Sequence, residues 1–326
     1  MTSAQLSSSL FHEGEERVQA RQGVLEKVAA FGPKLIRDHL IDQHREFYAQ
    51  LPFLLLGTVD ERGRPWASIV SGTPGFLSTP DDTTLKITAS PLQGDPLGTT
   101  LAPDAPVGVL GLQVETRRRN RMTGHVKEMG ADGFSITVDQ SFGNCPRFIQ
   151  TRQPMAPQDA AAEVHAPQEQ FSDAVRALVA RADTLFVASA YAPDASTVAH
   201  GADVSHRGGK PGFVRLEDDR SFIFPDFSGN NIFNTVGNLL MNPKAGFLFP
   251  DFETGDLVYM TGTTEIIWDG PEVDAFTGAE RLIRFTAEEI IHVERGLPIR
   301  FSFDAYAPNL KATGDWDANE SQGEPS

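Results

Sequence analysis

From Gly14 to about Gln50, apolar residues recur at helical spacing: Val18, Leu25 and Val28, then Leu35, Ile36, Leu40 and Phe47. Such spacing lines one face of a helix. Gly32-Pro33 divides the stretch into two predicted helices, because proline has no N–H for the helical ladder. The period then changes. Leu51 to Val59 is an apolar run closed by Asp60-Glu61-Arg62-Gly63, a hairpin-type turn, and Trp66 to Val70 alternates as the return strand.

The second half repeats that order. Phe171, Val175, Leu178 and Val179 form one helical stripe, Asp183 to Ala190 predicts a strand, and a connection rich in Pro, Asp, Ser and Gly runs to Gly201. Strands are predicted at about Gly212–Leu216, Ser221–Phe224, Ala245–Phe249, Leu257–Met260 and Thr263–Ile267. Ala275 to Glu289 predicts a helix, and a few strand-like residues precede the tail. Each half is a leading helical segment followed by short strands at hairpin spacing, a pattern of closed antiparallel sheet.

The halves also share residues. Pro74-Gly75-Phe76 recurs as Pro211-Gly212-Phe213, Thr84 to Ile87 as Ser221 to Phe224, Gly108-Val109-Leu110 as Gly246-Phe247-Leu248, and Met122-Thr123-Gly124 as Met260-Thr261-Gly262. A repeat this long is a duplicated domain rather than a solenoid. The expected division is 11–149 for the first domain and 171–310 for the second. The Pro-, Ala- and Gln-rich residues 150–170 are expected to form a linker without strand character, and 1–10 and 311–326 to be frayed ends.

Composition narrows the class. A chain of 326 residues with 40% apolar residues and 22 Phe can fill two cores, and no apolar run is long enough to span a bilayer. Cys145, the single cysteine, excludes an intrachain disulfide and a cysteine-based zinc cage. Met1 to Leu10 lacks the basic start and apolar stretch of a signal peptide, so a cytoplasmic location is expected. A formal charge of −16 argues against non-specific nucleic-acid binding. Against that background Thr116 to Arg121 is a basic island, either a small-anion site or the solvating charge of an exposed edge strand.

Two stretches carry candidate chemistry. Asp203 to Lys210 offers Ser205, His206, Arg207, Gly208-Gly209 and Lys210, a set suited to phosphate: a bidentate fork, a point charge and backbone that turns inward. Its counterpart in the first half, Trp66 to Thr73, has no basic residue. Pro225 to Asn238 gathers Asn230, Asn231, Asn234 and Asn238 with Ser228 and Thr235, donors for phosphate oxygens or for the edge of a heteroaromatic ring. The same residues also suit an ordinary turn, with Asn234 capping a helix over Thr235 to Asn242. Cys145 reads as a redox thiol or a small buried hydrophobe. His12 with Glu13 and Glu15 fits no common metal spacing, so no metal site is expected.

The ordered set Ser205-His206-Arg207, Phe224 to Asn238, Asn242 to Gly246 and Tyr259 to Gly262 resembles the pyridoxamine 5′-phosphate oxidase family of FMN-binding split β-barrels. With Phe11 to Glu15, Gly63 to Ser68, Arg117 to Arg121 and Phe142 to Arg147, the chain is similar to a two-barrel subgroup over about residues 11 to 305. The fold so implied is mainly β (α+β): tandem duplicated split β-barrels of antiparallel strands with flanking helices.

The resemblance implies FMN, with Arg207 and Lys210 near its phosphate and Ser205, His206, Asn231 and Asn234 around it. It also implies that Arg119 and Arg121 of the first copy reach the flavin of the second, because the family's flavin lies between two barrels. The implied activity is an FMN-dependent oxidoreductase of flavin reductase or oxidase type. It would act on a small molecule, with NAD(P)H or a reductase as donor and a further pairing into a homodimer left open. The alternative is a non-catalytic flavin- or haem-binding protein, with His206, His200 or His292 as the iron ligand. The family's C-terminal Trp- and Arg-containing substrate motif is absent around Pro298 to Pro308, so vitamin B6 oxidation is not implied.

Overall fold

A computed structural model describes residues 10–156, 160–193 and 197–316. Three helices, α1 (Glu13–Arg21), α2 (Leu25–Leu35) and α3 (Asp42–Ala49), lead into the first barrel. Its elements are β1 (Phe53–Val59), β2 (Pro65–Ser71), β3 (Leu77–Ser78), β4 (Thr84–Ile87), α4 (Leu97–Thr100), β5 (Pro106–Gln113), β6 (Arg118–Gly130) and β7 (Gly133–Asn144). β8 (Thr151–Met155) and β9 (Glu163–Val164) connect the halves. The second barrel holds α5 (Asp173–Arg181), β10 (Thr184–Tyr191), β11 (Gly201–Gly208), β12 (Arg215–Leu216), β13 (Ser221–Phe227), α6 (Asn234–Met241), β14 (Lys244–Pro250), β15 (Leu257–Ile267), α7 (Pro271–Asp274) and β16 (Ala279–Glu294). β17 (Arg300–Ala305) and a 3₁₀ turn (Pro308–Ala312) follow.

The duplication is complete at the level of topology. One sheet runs β2-β1-β5-β6-β7-β4-β3 and the other β11-β10-β14-β15-β16-β13-β12, every neighbour antiparallel. Registers match as well: Gly57 opposes Gly108 as Ala188 opposes Gly246. These are two split β-barrels of one design.

Strand alternation explains the continuous apolar runs. In β1, Leu54 and Leu56 fill the first barrel while Phe53 and Leu55 face the other way, into a core shared between the barrels. In β10, Leu185 and Val187 fill the second barrel while Phe186 and Ala188 join that shared core. A strand buried on both faces loses its polar alternation. The first interior is mainly aliphatic; the second is aromatic, with Phe222 edge-on to Phe247 and Phe249 at 5.1 and 5.5 Å.

The repeated glycine has a packing reason. A Cβ on Gly108 would lie 2.4 Å from the Asp203 Cα on β11, and one on Gly246 would lie 2.4 Å from the Pro65 carbonyl oxygen on β2. Each barrel's second strand crosses the other barrel's fifth at backbone contact, which only glycine permits.

Several expectations are corrected. α2 runs through Gly32-Pro33, where proline in the last turn removes a single N–H. The helical stretch breaks instead at Gly23, with φ of 68°, and again before α3. Residues 150–170 are not free of strand: β8 pairs with β17, and β9 pairs with β16. Ala275 to Glu289 is not a helix. From Ala279 it is β16, where Glu280, Arg284 and Glu288 recur every fourth residue and so imitate a helical period. Gly212 lies in a turn, so the strand expected from there is only β12, and the two strands expected from Leu257 and Thr263 are one, β15. The basic island is not an edge: β6 lies between β5 and β7. Of the expected tail, Trp316 is held in place, its indole donating to the Phe213 carbonyl at 2.9 Å. Residues 1–9 and 317–326 lie outside the described residues.

Candidate functional site

One cavity opens where the first barrel's β6 and the end of β7 face the second barrel's β11, the end of β13 and the start of α6. It encloses about 760 Å³ of space between atoms, its open mouth included. Five arginines line it, Arg119, Arg121, Arg147, Arg207 and Arg281, against one carboxylate, Asp226.

That carboxylate is fully engaged. Arg207 Nε donates to Asp226 Oδ1 at 2.9 Å, and Arg281 Nη1 donates to Oδ2 at 2.6 Å. Arg119 Nη2 lies 3.3 Å from the Cys145 sulfur. Arg147 donates to Ser228 Oγ at 2.9 Å. Several donors are left over: Arg119 Nε, Arg121 Nε, Arg281 Nε and the His206 Nδ1 position are buried without a hydrogen bond. Buried polar groups in native proteins are normally paired. An anion with several oxygens would satisfy this set.

A closed ring of polar groups forms the wall behind Arg121. Arg121 Nη1 donates to Asn234 Oδ1 at 3.0 Å, and Asn234 Nδ2 donates to Glu15 Oε1 at 2.5 Å. Glu15 Oε2 accepts the His12 N–H at 2.9 Å. His12 Nδ1 accepts from the Gly14 N–H, so its Nε2 carries the proton and donates to Asn238 Oδ1 at 2.9 Å. Asn238 donates to Asp203 Oδ2 at 2.9 Å, and Asp203 Oδ1 lies 3.0 Å from Arg121 Nη2. Burial, with repulsion from Asp203, raises the Glu15 carboxyl well above the usual range, and burial lowers the His12 imidazole.

The ring depends on a helix crossing. A Cβ on Gly14 would lie 2.4 Å from the Gly237 carbonyl oxygen, and one on Gly237 would lie 2.7 Å from Glu15. Two glycines thus let α1 dock against α6.

Seven of the eight residues expected around a cofactor line this cavity: Ser205, His206, Arg207, Asn231, Asn234, Arg119 and Arg121. The two arginines of the first copy meet residues of the second. Lys210 is not brought there; its ammonium bonds the Thr313 carbonyl at 3.0 Å and Asp315 at 3.2 Å. Asn234 is not a helix cap: Phe233, at φ of 67°, holds that position, and the Asn234 amide faces Arg121 and Glu15. Asn231 sits at φ of 64° in the preceding loop. Ser205 accepts from Thr235 Oγ1 at 2.8 Å. Burial, then Arg119, Arg207 and Arg152, hold the His206 imidazole well below its ordinary pKa, hence neutral. Cys145 lines the cavity, whereas His200 and His292 do not.

Sequence reasoning missed Asp226, Arg281 and the Phe148–Phe227 pair, whose rings stack at 4.8 Å and 24°. Arg281 was hidden by the false helix. Carrying the internal repeat through to the end of β16 would have exposed it as a strand residue.

The chain is thus a two-barrel protein with a single arginine-lined cavity between its copies among those described. Residues 171–301, the second barrel, match the family model described as pyridoxamine 5′-phosphate oxidase. Among curated proteins no match was found. Similar solved structures include HupZ of Group A Streptococcus at 19% identity, covering 37% of this chain and 98% of that one, TM-score 0.29. A second is HutZ, described as the heme storage protein of Vibrio cholerae, at 12% identity, 38% and 95% coverage and TM-score 0.28. A third is a pyridoxamine 5′-phosphate oxidase-related, FMN binding protein of Nostoc punctiforme, at 13% identity, 41% and 95% coverage and TM-score 0.25. No helix among the described residues is long and apolar enough to cross a membrane.

Proposed function

We propose that the chain is an FMN-dependent oxidoreductase with one flavin site, built jointly by domains at residues 11–149 and 171–310. One observation carries this reading: five arginines and a set of unpartnered buried N–H groups converge on one cavity in a chain of formal charge −16. The family match of the second barrel supports it.

Arg119, Arg121 and Arg207 would hold the phosphate, with the Ser205 and Thr235 hydroxyls beside them. Guanidinium–phosphate contacts are charge-assisted and directional, so a dianion suits this donor set. Bound FMN would supply the hydride or electron transfer. The protein's part is to bind, orient and exclude water. Neutral His206 adds a ring nitrogen without adding charge, and the Phe148–Phe227 stack narrows the mouth with apolar surface. The chain has no Gly-x-Gly-x-x-Gly dinucleotide fingerprint, so NAD(P)H or a reductase would dock transiently.

The test is a visible spectrum of the purified protein and titration of the apo form with FMN. Stoichiometric binding is expected, and Arg207→Ala should weaken it more than tenfold, a charge-assisted contact being worth about 1.5–3 kcal/mol. An apo protein that ignores FMN, or affinity unchanged in Arg207→Ala, overturns the reading. One observation favours a second ligand: His206 lines the cavity as a neutral imidazole whose Nδ1 has no hydrogen-bond partner. A haem absorption band lost in His206→Ala would establish a haem-binding protein instead.

A further inference from the structure

The place that corresponds to the cavity in the other half of the molecule carries a different chemistry. Arg119 pairs with Asn144 in the first barrel as Leu257 pairs with Val293 in the second. His292 and Glu294 therefore stand where Gly143 and Cys145 stand beside the arginine cavity. His165, just after β9, reaches both of them. Its Nε2 lies 3.0 Å from Glu294 Oε1, its ring stacks on that of His292 at 4.9 Å and 14°, and its backbone N–H bonds the His292 carbonyl at 3.0 Å. One ligating atom from each of the three lies within 4.8 Å of the other two.

A histidine–glutamate ion pair with a stacked neighbour would be the plainer account, but it leaves His292 unexplained. That ring is buried and has no hydrogen bond to any described residue. We propose that His165, His292 and Glu294 bind one divalent transition-metal ion of the zinc type, fastening the segment between the barrels to β16. Two imidazoles and a carboxylate are a zinc-type donor set, with bonds of about 2.0–2.2 Å. His165 Nε2 and Glu294 Oε1 are already spaced like two ligands of one ion. His292 is the ring that must turn, and turning it breaks no hydrogen bond. Arg295 occupies Glu294 Oε2 at 2.9 Å, leaving Oε1 for the ion, and Asp256 adds negative charge nearby.

The consequence is local. A Cβ on Gly94 would lie 2.9 Å from Val293 and 3.0 Å from Val164, so the segment that carries His165 also closes the space matching the arginine cavity. The metal would lock that closure. None of the three residues lines the arginine cavity, so metal binding here is independent of what that cavity holds.

Tag-free, full-length protein titrated with Co²⁺ tests it. One equivalent should give visible ligand-field bands, without the thiolate charge-transfer band of a cysteine site, and Zn²⁺ should abolish them. His292→Ala, His165→Ala and Glu294→Gln should each weaken Zn²⁺ binding at least tenfold, while His125→Ala, at the exposed His125–Asp139 pair, should not. Should His292→Ala fail to fold, as judged by metal-free thermal unfolding, His165→Gln at the more exposed position carries the same test. Absence of Co²⁺ bands, or Zn²⁺ affinity unmoved by these substitutions, overturns the proposal.

Discussion

Arg121 and Tyr259 occupy one position in two copies: Arg121 opposes Leu110 as Tyr259 opposes Leu248. The same register sets Ser205, His206 and Arg207 against Ser68, Ile69 and Val70. Around Arg121 the chain keeps Asn234, Asp203 and Glu15; around Tyr259 it keeps Leu92, Val293 and one carboxyl, Asp95. Asp95 accepts the Ile69 N–H at 3.1 Å and the Leu97 N–H at 2.8 Å, serving backbone rather than ligand. A duplicated fold can thus keep one site and close the other. In the closed copy aliphatic Ile69 and Val70 stand where His206 and Arg207 stand in the open one, and the polar groups that remain, among them Ser68, Asp95 and Tyr259, are buried. Each copy keeps one polar pair at this place: Thr58 with Thr100 in one stands where Ser189 with Asn238 stands in the other.

The comparison breaks most sharply at its first pair. Arg121→Ala leaves buried Asp203 without its counter-charge and should destabilise the protein by about 3–5 kcal/mol in urea unfolding. A loss under 1 kcal/mol would mean the polar ring is not a stabilising unit.

Next comes pH. Burial raises the Asp95 carboxyl to about 6. Its folded form therefore holds a proton more tightly than the unfolded chain does. The associated stability is full below about pH 4 and is lost as pH rises through about 6, roughly 3 kcal/mol in all. Glu15, also raised, acts in the same direction. Measured from pH 4 to pH 7, wild type should lose stability relative to Asp95→Asn; a difference flat with pH contradicts the assignment.

Gly94→Ala should cost about 1–3 kcal/mol, because its Cβ would crowd Val293 and Val164 at φ of 79°. Unchanged thermal unfolding would show the closure to be loose. Smallest is Tyr259→Phe, within about 1 kcal/mol, since its hydroxyl has no well-aligned partner. A large effect there would mean that hydroxyl and Asp95 form a bond as important as those of the open site.

The sequence revealed most of this where its signal was local or repeated. Pro-Gly-Phe and Met-Thr-Gly exposed the duplication, and the contrast between Arg207 and the unbasic Trp66–Thr73 pointed to the open site. Strand β16 was misread because its charges fall at a spacing that imitates a helix. Lys210 was misplaced because its partners, Thr313 and Asp315, come from a segment whose polar composition resembles a frayed end. The role of Glu15 was invisible: its partner lies 219 residues away, and only the Gly14–Gly237 crossing brings the two together.

That crossing also bears on how the chain is made. Residues 12–15 leave the ribosome more than two hundred residues before Asn234 and Asn238, and the first barrel's arginines likewise precede the strands they face. The first barrel can close during synthesis, but α1 must wait for α6, and buried Glu15 stays exposed until α6 arrives. The cavity wall is consequently among the last parts to assemble, a late, long-range closure of the slow kind. Ligand binding would then report that the whole chain has folded, and neither half made alone should show it.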